Sequence, residues 1–181
     1  MIVGITAQQG QRLGSGKTLF AVLYVYRLYR KLKKHGYKVY SNISLYGIPY
    51  TRITRLGELS GIDKAIILLD DVYKWVDAYR HASRMNTLVT VLGTESRKAH
   101  HYIVWTSARY VGGAHKGLRD LSEIIFLSTF QKKFRLLSVT PCIDVGDRLL
   151  PIGRTQRYGP KTVTFLYKTY NTFERVLPIE S

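Results

Sequence analysis

The nine residues Gly10-Gln11-Arg12-Leu13-Gly14-Ser15-Gly16-Lys17-Thr18 stand between an apolar run, Ile2 to Thr6, and a stretch whose apolar residues recur at helical spacing. A strand that turns into a helix through glycines can aim several backbone N–H groups at one point. The helix N-terminus behind them favours an anion. Gly14, Ser15 and Gly16 supply such a cradle, which Leu19 adjoins. Lys17 is placed to reach the β- and γ-phosphate oxygens of a triphosphate, and the Thr18 hydroxyl to hold a bridging Mg2+. One position departs from the usual spacing. The glycine expected five residues before Gly16 is Gln11, with Gly10 one step further back, so the loop is read as one residue longer than usual. The alternative is a glycine-rich turn that carries an incidental lysine.

The run Ala65-Ile66-Ile67-Leu68-Leu69 is apolar throughout and ends in Asp70-Asp71. Continuous apolar runs of this length fit strands covered on both faces of a parallel sheet. Acids often simply end strands, but about fifty residues after a phosphate loop this pair has a chemical use. Asp70 is read as the Mg2+-side acid and Asp71 as the carboxylate that polarises the attacking water. The remaining elements are a helix from Lys17 to about His35, strands at Lys38 to Leu45, His101 to Ser107 and Ile124 to Leu127, a short helix or turn at Leu56 to Gly61 and a short helical turn at Leu118 to Glu123. Leu88 to Lys98 reads as helical and Thr162 to Tyr167 as a strand. A β-hairpin or sheet-edge extension is expected toward the C-terminus.

With 28 Lys and Arg against 12 Asp and Glu, the formal net charge is +16 over 181 residues. So large an excess favours a polyanionic partner, nucleic acid first. The segment containing Arg80 and Arg84 mixes aromatic and basic residues, which can stack on and neutralise nucleic acid or can pack as an amphipathic segment. A second basic stretch, Gly112 to Gly117, carries His115 and Lys116. A single cysteine, Cys142, allows no internal disulfide and no multi-cysteine metal site, which suits a reducing compartment. No apolar run approaches the ~20 residues of a membrane span, and no charged-then-apolar leader opens the chain.

The stretch Thr94 to Arg109, followed by Leu118-Arg119-Asp120 and Glu123-Ile124-Ile125-Phe126-Leu127, resembles the FtsK and HerA superfamily of DNA-pumping ATPases. That group includes viral genome-packaging ATPases and the Zot-like proteins of filamentous phages, to whose tail Tyr170-Asn171-Thr172-Phe173-Glu174 is also similar. The resemblance implies a RecA-like α/β P-loop fold of the ASCE type, with a central, mostly parallel sheet flanked by helices, in one domain over residues 1–181 whose core runs to about residue 140 and whose C-terminal β-rich extension covers about 141–181. It implies ATP and Mg2+ as cofactors and Arg97 as an arginine offered to a neighbouring subunit's nucleotide, with Arg109 and Arg119 as further candidates. Where the superfamily usually carries a sensor glutamine this chain has Ala108, leaving Thr106 or Ser107 to replace it. The expected function is ATP-driven movement of double-stranded DNA, without sequence preference, by a pentameric or hexameric ring. Its setting would be genome packaging in the host cytoplasm or on the virus particle, beside a capsid or membrane vertex protein. Three alternatives remain: a nucleotide kinase, a GTP switch, and a DNA-binding protein with a degenerate loop. No arginine-rich lid favours the first and no Asn-Lys-x-Asp motif the second.

Overall fold

The computed structural model describes residues 1–7, 14–54, 56–59, 61–72, 93, 96–108, 110, 116–146 and 148–171. Over these residues the chain forms β1 (Ile2–Ala7), α1 (Lys17–Leu32), β2 (Lys38–Ser41), β3 (Thr51–Arg52), β4 (Ala65–Leu69), β5 (Tyr102–Ser107), α2 (Lys116–Leu121), β6 (Ile124–Gln131), β7 (Leu136–Asp144), β8 (Leu149–Pro151), β9 (Gln156–Tyr158) and α3 (Pro160–Tyr167). One sheet runs β3-β2-β4-β5-β1-β6-β7-β8, with β9 also paired to β7. Every pairing from β3 to β6 is parallel, and those of β7 are antiparallel. The expected α/β fold with a central, mostly parallel sheet is therefore the observed one.

The two faces of the parallel part are both covered, which is why its strands carry little alternation. Val3, Ile5, Ile66, Leu68 and Val104 pack beneath α1, against Leu19, Phe20, Val22 and Val25. Ile2, Ile67, Leu69, Ile103 and Trp105 face the other way, toward Leu118 of α2. Gly4 on β1 lies against the Trp105 ring so closely that any Cβ there would overlap it. Ser122 accepts the Trp105 Nε1–H at 2.9 Å, so the buried indole keeps its hydrogen bond.

The C-terminal residues differ in part from expectation. Residues 162–167 are helical, not extended, because Pro160 sits in the first turn of α3 with its φ already suited to a helix. Val163 and Leu166, three apart, then bury one face against α1, where Phe165 meets Tyr26 edge-on with ring centroids 5.8 Å apart. Lys38 to Leu45 is a strand only as far as Ser41. β6 continues beyond Leu127 to Gln131, and a tight turn at Lys132–Phe134 joins it to β7. That hairpin, β8 and β9 form the expected sheet-edge extension.

Candidate nucleotide-binding site

The sheet order places β5 between β1 and β4, so the strand entering the glycine loop and the strand ending in the acids are not neighbours. Thr106, near the end of β5, spans the gap. Its hydroxyl donates to Asp70 Oδ1 at 2.7 Å and accepts the Asp71 backbone N–H at 2.9 Å. From the other side, the Thr18 hydroxyl donates to the same Asp70 oxygen at 2.9 Å. The sequence-predicted residues Thr18, Asp70, Asp71 and Thr106 thus converge. Ser107 is buried and paired in register with Thr6.

Gly14 and Gly16 take φ of 68° and 78°, a left-handed region that costs glycine little, and Gly16 serves as the N-cap of α1. No acidic residue lies in the first turn of α1, whose leading N–H groups precede any intrahelical acceptor. The Lys17 ammonium donates to Ser15 Oγ at 3.2 Å and is largely buried. Burial pushes its pKa down, while Asp71 and Asp70 pull it up. Leu19 sends its side chain into the core.

Asp70 is enclosed, and its carboxyl is pushed up to about 6, first by burial and then by the charge of Asp71. The Thr106 and Thr18 hydrogen bonds and the Lys17 charge pull the other way. Asp71 adopts φ of 51°, unusual outside glycine, and the bond from its N–H to Thr106 holds it there. The hard oxygens of Thr18 and Asp70, 2.9 Å apart beside a phosphate loop, fit a divalent cation such as Mg2+.

Two supports were missed in the sequence. Asn42, just past β2, donates its Nδ2–H to the Asp70 carbonyl at 2.8 Å and accepts the Asp70 N–H at 2.7 Å, clamping that backbone from both sides. Ser128 of β6 donates to the Ser15 carbonyl at 2.6 Å and so anchors the glycine loop to the next strand. Asn42 follows the C-terminal end of β2, and Ser128 stands where the parallel pairing of β6 with β1 ends, the edge at which ligand sites of such sheets lie, and that placement was the available signal.

The candidate arginines separate. Arg97 is helical and exposed; the neighbouring residues Ser96 and Ala99 bond to His101 and Lys64, just before β5 and β4 begin. It therefore lies at the opposite end of the strands from its own glycine loop. Arg119 is buried, with its guanidinium 4.9 Å from the Tyr110 ring centre, and is held within its own chain. Lys116 is exposed at the start of α2. Gln11, Arg80, Arg84, Arg109 and His115 lie outside the described residues, as do most of Leu88 to Lys98 and all of the Thr172-Phe173-Glu174 tail.

A glycine loop between a strand and a helix, with lysine and threonine behind it and strand-end acids two strands away, defines the fold of a P-loop NTPase. The N-terminal domain of zonular occludens toxin from Neisseria meningitidis has this fold. It matches with a TM-score of 0.60 and 20% sequence identity over 94% of this chain and 98% of that domain. The genome packaging NTPase B204 from Sulfolobus turreted icosahedral virus 2, solved in complex with ATP-gammaS, is also similar. It gives a TM-score of 0.47 and 11% identity over 88% of this chain and 97% of that one. No protein-family model and no curated protein matches the sequence. Among the described residues, no helix is long and apolar enough to cross a membrane.

Proposed function

We propose that the chain hydrolyses ATP and uses the energy to move double-stranded DNA through a homo-oligomeric ring, as in the packaging of a viral genome. The observation that carries this reading is the junction at Asp70, where the loop threonine and the β5 threonine meet on one carboxylate oxygen. In this scheme the loop N–H groups and Lys17 hold the triphosphate. Thr18 and Asp70 hold Mg2+, whose charge draws electron density from the transferred phosphoryl group. Asp71 accepts the proton of the attacking water. Its backbone is tied to Thr106, which also bonds the Asp70 carboxylate and takes the sensor role in place of a glutamine.

The +16 formal charge supplies the attraction to duplex phosphates. A ring supplies what one small domain lacks, a closed path around a duplex and a second cation for the transition state. Arg97, far from its own loop, serves the neighbouring subunit. The setting that suits this work is the host cytoplasm or the particle itself, against a capsid or membrane vertex protein.

Steady-state ATP hydrolysis with Mg2+, measured with and without long duplex DNA, tests the reading. Native protein should hydrolyse ATP, and DNA should raise the rate. Lys17→Ala should lose about 10² to 10³ of it, the scale for removing one preorganised charge-stabilising group. Native-level hydrolysis by Lys17→Ala would remove the loop from the reaction. DNA binding by native protein without hydrolysis would make the chain a non-catalytic binder.

A further inference from the structure

The β6–β7 turn reads Gln131-Lys132-Lys133-Phe134-Arg135, three cations and an aromatic with no acid among them, and all five residues are exposed. Phe134 is 62% exposed, more than any other large apolar side chain among the described residues. Lys133 lies over it, 5.8 Å from the ring centre. Arg135 takes φ of 46° to close the turn, with its N–H on the Lys132 carbonyl at 3.2 Å. Its guanidinium bonds Thr164 Oγ1 on α3 at 3.3 Å, and Phe130 meets Tyr167 of α3 edge-on. The tip and the outer face of α3 therefore form one surface, to which exposed Lys161, Phe165 and Lys168 also belong. Among the described residues, no carboxylate pairs with Lys132, Lys133 or Arg135.

The location matters as much as the charge. Ala7, the last residue of β1, pairs with Ser128. Three more residues of β6 carry the tip about 10 Å beyond the end of β1. The root of the hairpin touches that loop. Ser128 bonds the Ser15 carbonyl, and a Cβ on Gly16 would lie 2.6 Å from Leu137 Cδ1 and 3.1 Å from Phe130 Cβ. The tip is therefore exposed beside α3, on a base packed against the phosphate site.

From this we infer that the tip, Lys132, Lys133 and Arg135 with Phe134 between them, is a contact site for the phosphate backbone of duplex DNA. The inference rests on the proposed DNA reading but not on hydrolysis. The cations meet phosphate oxygens, and Phe134 covers the adjoining sugar edge. The contacts carry no sequence information, as phosphate contacts do not.

Equilibrium binding to two unrelated duplexes, run without nucleotide over a series of salt concentrations, provides the test. A failed hydrolysis assay then leaves the result standing, and a failed titration leaves the phosphate loop standing. The test variant is Lys132→Gln/Lys133→Gln/Arg135→Asn, since asparagine tolerates the left-handed turn position. The comparison variant, Lys31→Gln/Lys33→Gln/Lys34→Gln, removes the same formal charge from exposed positions in the last turn of α1 and the turn that follows it. Each phosphate contact contributes about 0.9 to the slope of log affinity against log salt. The hairpin variant should therefore lose about 2 to 3 from that slope and tenfold or more in affinity at moderate salt, equally on both duplexes. The comparison variant should lose much less, and thermal melting should show both folded. Equal losses in the two variants would mean that net charge alone drives binding, and an unchanged slope in the hairpin variant would free the tip of the role. Either result overturns the inference, as would native protein that binds neither duplex.

Discussion

The parallel half of the sheet and the antiparallel extension beside it solve different problems. In β1, β4 and β5 nearly every side chain is buried, and polar chemistry appears where the strands stop, at the glycine loop, Asp70, Asp71 and Thr106. β7 and β9 bury only some of their residues, Leu137, Val139, Cys142 and Tyr158 among them, β8 buries none, and Ile143, Leu150 and the tip ring of Phe134 are exposed. A strand buried on both faces can present a functional group only at its end. A half-buried strand can present one anywhere along its outer face or in its turn. The first arrangement concentrates a small rigid site, and the second spreads a broad charged surface.

If that division holds, chemistry should fail most sharply at the strand ends. Asp71→Asn should lower turnover by about 10² to 10⁴, the range for removing a general base, with triphosphate affinity nearly unchanged. Asparagine also accepts the left-handed φ of that position, so backbone strain does not confuse the result. Single-turnover hydrolysis beside equilibrium binding of a non-hydrolysable analogue separates the two effects. Parallel losses in both would make Asp71 a binding or structural group.

The same division explains what the sequence disclosed. The buried strands are legible because an unbroken apolar run such as Ala65 to Leu69 has few other uses, and the acids at its end mark where it stops. The loop glycines, Lys17 and Thr18 are legible because phosphate binding needs that spacing. Asn42 and Ser128 were missed because a single polar residue, just past β2 in one case and within β6 in the other, makes no pattern before the strand ends are known. Their roles come from long-range pairing, Asn42 with Asp70 and Ser128 with Ser15. Thr162 to Tyr167 was misread because β-branched and aromatic residues favour strands in isolation. Here Pro160 and burial of Val163 and Leu166 against α1 outweigh that preference.

The two regions nevertheless share one core, and Leu166 shows how far the sharing goes. It is fully buried on α3, in the same cluster as Val22, Val25 and Tyr26 of α1, the helix that carries Lys17 and Thr18. Leu166→Ala should cost about 2 to 5 kcal/mol. Because α1 lies on both sides of the boundary, the loss should appear as a single transition at lower denaturant, with nucleotide-analogue binding lost at the same midpoint. Two separated transitions, with binding surviving the first, would make the extension an independent appendage and break the picture of a common core.

The smallest predicted effect isolates the parallel half alone, through the acid it encloses. The Asp70 carboxyl is pushed up to about 6 in the folded chain, above the ordinary carboxylate range, mainly by burial. Between that range and pH 6 the folded state retains a proton that the unfolded state has released. Stability must therefore fall as pH rises through this window and level off above it. The shift corresponds to at most about 3 kcal/mol, at 1.36 kcal/mol per unit. Denaturant titrations in Mg2+-free buffer at intervals across the window should show the decline in native protein. Asp70→Asn should lack that component, since an amide does not titrate. Mg2+ with a nucleotide analogue should also flatten the native profile, because a cation against the carboxylate favours its ionised form. A native profile that stays flat without Mg2+, or a decline of equal size in Asp70→Asn, would place the proton elsewhere and separate Asp70 from the electrostatics assigned to it.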